Sequence, residues 1–295
     1  MKIGFIGFGT MGLPMAGHLL QAGHVLHVWS RPGGKSAAGA DFLVGQGARR
    51  CVSPAELAGA SEIVCTNLTA SADVEGIAAQ IFEVLAPGAI HVDFSTIAPS
   101  AARRIAAHYA ARGLDFVDAP VSGGGPGAQN ATLAIMWGGK SALAPRLEPL
   151  FAALGKTIVR VGEVGAGQVA KACNQMVMVA AIEACAEAAR LAAGAGVDFA
   201  KVRTAMLGGS AGSRVLEAFG GRMAARDFVP GVEARLHHKD YALLMDEATR
   251  IGAPLPATAA VWQQLNALMA QAWGKADTSS LLRVLETGAE TDSGR

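Results

Sequence analysis

The chain has 295 residues, 51% of them hydrophobic and 17% charged, which is ample apolar material for two cores and excludes a disordered polypeptide. Its formal net charge is +1 and it has no basic run, so no field recruits nucleic acid or an anionic membrane surface. Cys51, Cys65, Cys173 and Cys185 form neither a Cys-x-x-Cys pair nor a zinc-ligand spacing; they read as small buried hydrophobes in a reducing compartment, and no metal site is expected.

Lys2-Ile3-Gly4-Phe5-Ile6 opens the chain as a strand, not as a basic segment followed by an apolar leader, so a cytoplasmic protein without a secretory signal is expected. Further strand-like runs are Val25–Trp29, Ile63–Cys65, Ile90–Phe94, Phe116–Val117, Leu133–Met136 and Ile158–Val161. Helical segments lie between them. Ser53-Pro54-Ala55-Glu56 is a helix start in which Ser53 caps, Pro54 suits the first turn and Glu56 reaches back. Pro99 opens another helix, which runs to about Arg112 and ends at Gly113. This alternation predicts an α/β fold: a doubly wound parallel sheet of Rossmann type with helices on both faces.

After Val161 the strand-like runs stop. A long helix is predicted from Gly165 to about Ala193, then one capped by Asp198, then Ser213–Arg226, Val232–Ile251, Leu255–Trp273 and Asp277–Thr287. The expected division is a dinucleotide-binding domain over 1–162 and an all-helical substrate and oligomerisation domain over 163–295, with a frayed polar tail at Glu290–Arg295. No stretch supplies the ~20 uninterrupted apolar residues of a membrane span. The most apolar one, Met176–Ala195, carries Glu183, Glu187 and Arg190 and reads as a buried helix.

Gly7-Phe8-Gly9-Thr10-Met11-Gly12 sits between the first strand and a helix beginning near Thr10, the context that a dinucleotide fingerprint requires. Gly7 permits the tight turn, Gly9 lets the backbone approach a pyrophosphate, and Gly12 lets the helix pack close to the strand. The helix N-terminus then faces the phosphates. The plainer alternative is a tight turn without a ligand. The second strand ends in Ser30-Arg31, where an acidic residue would grip the ribose 2′-hydroxyl of NAD. A guanidinium with a small hydroxyl suits the 2′-phosphate of NADP, so NADP is favoured over NAD unless Arg31 is only a solvated surface charge.

Asp118-Ala119-Pro120-Val121-Ser122-Gly123-Gly124 follows a strand, and Ser122 with the amides of Gly123 and Gly124 would form a compact site for a carboxylate, unless the run is only a flexible loop. In Gly165-Ala166-Gly167-Gln168-Val169-Ala170-Lys171-Ala172-Cys173-Asn174-Gln175, Lys171 shares a helix face with Asn174 and Gln175. A lysine among apolar neighbours with an amide partner is a candidate proton donor and acceptor if burial and charge tune it; the bland alternative is a lysine snorkelling to solvent. His237 and His238 point to different faces of a helix and make a poor metal pair.

Together these three motifs and the later His238-Lys239-Asp240, four in chain order, resemble the β-hydroxyacid dehydrogenase family, which includes 3-hydroxyisobutyrate dehydrogenase, tartronate semialdehyde reductase and the glyoxylate/succinic semialdehyde reductases. The resemblance spans nearly the whole chain. It implies that Lys171 is the general acid/base and that Asn174 positions the substrate. Ser122, Gly123 and Gly124 would hold the substrate carboxylate. Thr96 would contact the nicotinamide side, Leu68 would border the cofactor, and Lys239 and Asp240 would lie at the cofactor–substrate junction. The implied reaction is hydride exchange between NADP(H) and a short 3-hydroxy acid or semialdehyde acid, in a homodimer or homotetramer. Gln175, Ala131, Trp137 and Val232 depart from the family pattern, Gln175 nearest the chemistry. An imine reductase of the same fold is the first alternative, though its relatives generally lack a lysine at this position. A catalytically idle NADP-binding scaffold is the second.

Overall fold

A computed structural model describes residues 1–287, so the Glu290–Arg295 tail lies outside the described residues. The chain divides into two compact units, Met1–Lys171 and a second from Ala172 onward.

The first unit is built on a nine-stranded sheet. Strands β1 (Lys2–Ile6), β2 (Val25–Trp29), β3 (Arg49–Arg50), β4 (Ile63–Thr66), β5 (Ile90–Asp93) and β6 (Asp115–Asp118) lie in the order β3-β2-β1-β4-β5-β6, all parallel. The order reverses between β1 and β4, which makes the switch point where α/β sheets bind ligands. Side chains alternate along the strands as a pleat requires. Ile3, Phe5, Ile63 and Cys65 enter one apolar layer, while Ile6 and Val64 enter the other. Helices α1 (Gly12–Gln21), α2 (Ala37–Gly45) and α7 (Ala144–Ala152) cover the first layer with Met15, Leu19, Leu43, Leu147 and Phe151. Helices α3 (Pro54–Gly59), α4 (Ser71–Phe82) and α5 (Pro99–Ala110) cover the second with Leu57, Val74, Ile81 and Tyr109. Burial of each such side chain contributes about 2 kcal/mol.

Contrary to the expected all-parallel sheet, β8 (Leu133–Gly138) runs antiparallel to β6 and to β7 (Val121–Ser122). The link from β7 to β8 is the six-residue helix α6 (Gly124–Gln129), too short for the crossover that a parallel pair needs. Strand β9 (Gly155–Gly162) then pairs parallel with β8. Ser53 and Glu56 cap α3 as predicted: the Glu56 amide donates to Ser53 Oγ at 3.0 Å, and the Glu56 carboxylate reaches back to the Val52 amide at 2.6 Å.

Helix α8 (Ala166–Gly194) carries the chain from the first unit into the second. There follow α9 (Phe199–Leu207), capped by Asp198, a π-helical turn (Leu216–Gly220) leading into α10 (Gly221–Ala225), α11 (Ala234–Ile251), α12 (Pro256–Ala270) and α13 (Leu281–Thr287). Val179, Ile182, Ala186, Tyr241, Leu265 and Leu281 anchor its core. Cys51, Cys65 and Cys185 are buried as expected, but Cys173 is exposed, because it falls on the outward side of α8. His237 is buried against Thr278, with Nδ1 2.8 Å from Oγ1, and His238 stacks on Trp262. Among the described residues no helix is long and apolar enough to cross a membrane, and no cluster of three or more metal-ligating side chains occurs.

Candidate active site

The predicted cofactor residues of the first unit gather at the carboxyl ends of β1, β2, β4 and β5. Gly7 follows β1 at φ +103°, and a side chain there would strike the Asn67 carbonyl and Leu68 of the loop after β4. A side chain on Gly12, where α1 begins, would strike the Gly7 carbonyl and the Phe5 ring. A Cβ on Gly9 meets nothing within 4 Å, so the turn opens to solvent where a pyrophosphate would approach. Two closed sides and one open side fit a dinucleotide cradle. Phe8 packs into the core with its ring tilted against Phe5, so its contribution to the turn is its backbone. Thr10 lies over Gly125 of the second glycine run: a Cβ on Gly125 would meet Thr10 Cγ2 at 3.3 Å. Met11 packs on the core. Ser30 is buried at the end of β2 and Arg31 beside it is exposed.

A buried polar chain ties the loops after β4 and β5 together. Thr66 Oγ1 and Ser95 Oγ donate to Asp93 Oδ1 at 2.7 and 2.6 Å, and the Leu68 amide donates to Ser95 Oγ at 2.7 Å. Behind them His91 Nε2 lies 3.0 Å from Thr66 Oγ1 and Nδ1 lies 3.1 Å from the Tyr109 hydroxyl. Full burial lowers the His91 pKa to about 3, so its ring is neutral. Thr96 sits next to this network.

Beyond β6 the lysine meets the other glycine run. Lys171 is 92% buried by its 8% exposure, and its Nζ donates to the Val121 carbonyl at 2.9 Å. Ser122 is the next residue, paired with Ala134 in the two-residue strand β7, so the run is anchored and not a free loop. Gly123 and Gly124 follow at φ +133° and +61° and turn the chain into α6. Asp118, which opens the run, has a role that no local sequence pattern signals. Its carboxylate accepts from the amides of Gly165 at 2.7 Å and Gln168 at 2.8 Å, so it caps α8, whose own N-cap position has no side chain. Burial pushes the Asp118 carboxyl up to about 7, against the lowering effect of those two amides.

In the second unit Gln175, which also departs from the family pattern, links the predicted residues Asn174 and Asp240. Gln175 Nε2 donates to Asp240 Oδ2 at 2.6 Å, Asn174 Nδ2 donates to Gln175 Oε1 at 3.0 Å, and Lys239 Nζ lies 3.1 Å from Asp240 Oδ1. Lys171 and Asn174 are three residues apart on α8. Of the other departures, Trp137 is buried in the first core beside Phe151, and Ala131 adopts φ +51°, a left-handed conformation that glycine takes without strain.

Residues 2–162 match the model of the NAD binding domain of 6-phosphogluconate dehydrogenase, and residues 165–285 match that of the NAD-binding region of NADP-dependent 3-hydroxyisobutyrate dehydrogenase. The chain belongs to the β-hydroxyacid dehydrogenase family. It is 39% identical to 2-hydroxy-3-oxopropionate reductase of Escherichia coli K12, over 97% of each chain. It is 37% identical to 3-hydroxyisobutyrate dehydrogenase of Pseudomonas aeruginosa, over 92% of each. Among solved structures, 3-hydroxyisobutyrate dehydrogenase of Mycobacterium tuberculosis with L-serine superposes with a TM-score of 0.88 at 31% identity, covering 96% of this chain and 98% of that one. The family accounts for the Rossmann-type first unit and the helical region after it, and makes the chain an oxidoreductase that uses a nicotinamide cofactor on a small molecule.

Proposed function

We propose that this family member interconverts a short 3-hydroxy acid and the corresponding semialdehyde acid with NADP(H), and that Lys171 is its general acid/base. The observation that carries the reading is the seating of Lys171: a buried lysine whose Nζ lies 2.9 Å from the Val121 carbonyl, one residue before Ser122. The names of the relatives support the substrate class, since 2-hydroxy-3-oxopropionate, 3-hydroxyisobutyrate and L-serine are small acids oxygenated at the third carbon.

In this reading residues 1–162 hold the cofactor and 163–295 form the helical domain. Gly7, Phe8, Gly9, Thr10, Met11 and Gly12 receive the pyrophosphate, and Ser30 and Arg31 take the ribose 2′-phosphate. Leu68, Thr96 and Lys239 border the nicotinamide, whose ring supplies hydride exchange with the carbinol carbon. Ser122 and the amides of Gly123 and Gly124 hold the substrate carboxylate. Asn174 and Asp240 orient the substrate hydroxyl end. Lys171 takes the hydroxyl proton on oxidation and returns it on reduction.

A rate screen over three- and four-carbon 3-hydroxy acids and semialdehyde acids, with NADP(H) and NAD(H) in parallel, tests the reading. At least one acid of this class should turn over, with kcat/KM about tenfold or more higher for NADP(H), in keeping with an arginine that meets the extra phosphate. A rate with NAD far above that with NADP would defeat the cofactor preference. Turnover of cyclic imines with none of any hydroxy acid would defeat the reaction class.

A further inference from the structure

The loop Ser95-Thr96-Ile97 has left the sheet, because β5 ends at Asp93, and its backbone groups need other partners. Gln168, in the first turn of α8, supplies two of them. The residue is 2% exposed. Nε2 donates to the Ser95 carbonyl at 2.8 Å, and Oε1 accepts from the Ile97 amide at 3.1 Å. One side-chain amide thus pairs with the residues on either side of Thr96, as a neighbouring strand would. The backbone amide of Gln168 is itself tied to Asp118 Oδ2 at 2.8 Å, so the helix end that carries the bracket is fixed. A Cβ on Gly167 would come within 2.6 Å of the Met136 carbonyl and 2.9 Å of Asp118 Oδ2, so the turn already sits at its closest approach.

We propose that Gln168 is a positioning residue that locks the Thr96 loop to the first turn of α8, and thereby sets the place of Thr96 relative to Lys171. Lys171 lies three residues on, on the same helix face, with its Nζ on the Val121 carbonyl. One face of one helical turn therefore reaches the nicotinamide-side loop with Gln168 and the substrate loop with Lys171. The inference rests on the roles given above to Thr96 and Lys171. A shift of about 1 Å between groups that must meet at the reacting atoms costs on the order of 100-fold in rate.

Gln168→Met keeps the shape and removes both bonds. In the protein without cofactor or substrate, hydrogen exchange at the Ile97 amide should quicken by about tenfold or more, the loss of one protected buried bond. With substrates, kcat should fall by about 10- to 100-fold while the KM for NADP(H) changes by less than about threefold, because the Gly7–Gly12 turn is untouched. Wild-type exchange at Ile97, or a kcat within about twofold of wild type, would overturn the proposal. Gln168→Glu decides if the methionine variant does not fold. A protonated carboxyl can still donate to the Ser95 carbonyl and a carboxylate cannot, so the ratio of variant to wild-type kcat should fall as pH rises. A ratio near one at every pH would overturn it. Lys171→Ala, run beside these, separates the two readings: retained turnover there refutes the role of Lys171, while exchange at Ile97 still judges the lock.

Discussion

Lys171 and Glu183 stand on one helix and show what burial does to a charged side chain. Lys171 finds the Val121 carbonyl, whereas neither carboxyl oxygen of Glu183 has a hydrogen-bond partner among the described residues. Burial, with Glu187 adding repulsion, pushes the Glu183 carboxyl up from 4.5 to about 7. A carboxyl whose folded value lies above its unfolded one leaves stability intact below the unfolded value and removes it as pH rises through the folded one. Wild-type stability should therefore decline between about pH 4.5 and 7 relative to Glu183→Gln. Denaturant unfolding across that range should show the variant gaining on the order of 1–3 kcal/mol by pH 8. Parallel curves would refute the assignment. At this scale a residue's placement was readable where it belongs to a spaced motif, as with Gly7 and Gly12, where no side chain fits. The sequence was silent where the partner is distant in sequence, as for Asp118 with Gly165, or Gln168 with Ser95 and Ile97. No local pattern signals those pairs, because the sheet order alone brings them together.

Helix α8 explains why two glycines precede Lys171. Gly165 lies at φ +91° and packs against Arg103 and the Pro99 carbonyl, and Gly167 lies against Asp118 and Met136. The cap that a serine or aspartate would ordinarily give from within the helix comes instead from Asp118 at the end of β6. Asp118→Ala should leave two buried amides unpaired and cost about 2 kcal/mol of unfolding free energy. It should also lower turnover, because the turn that carries Lys171 loses its anchor. Unchanged melting of this variant would contradict the capping role. The long helices and strands were legible from period and punctuation. The two-residue strands were not: Arg49-Arg50 is exposed and charged, and Val121-Ser122 hides between a proline and three glycines. Each exists only because a neighbouring strand is there to pair with it.

Across the molecule, the alternation of strands and helices foretold the α/β class, and the switch in strand order between β1 and β4 fixes where its ligand loops converge. The antiparallel turn at β7 and β8 was not foretold, since direction depends on connection length and not on strand composition. That turn returns Val121 and Ser122 to the sheet beside the helix end that bears Lys171. The proposed reaction therefore depends on that lysine. The most direct test is Lys171→Ala, followed by two measurements on one preparation: steady-state turnover of the preferred hydroxy acid, and NADPH binding by its fluorescence. Turnover should drop by about 1,000-fold, within the span ascribed to general acid–base catalysis, with NADPH affinity changed by less than about threefold. Turnover equal to that of the unsubstituted protein would contradict it.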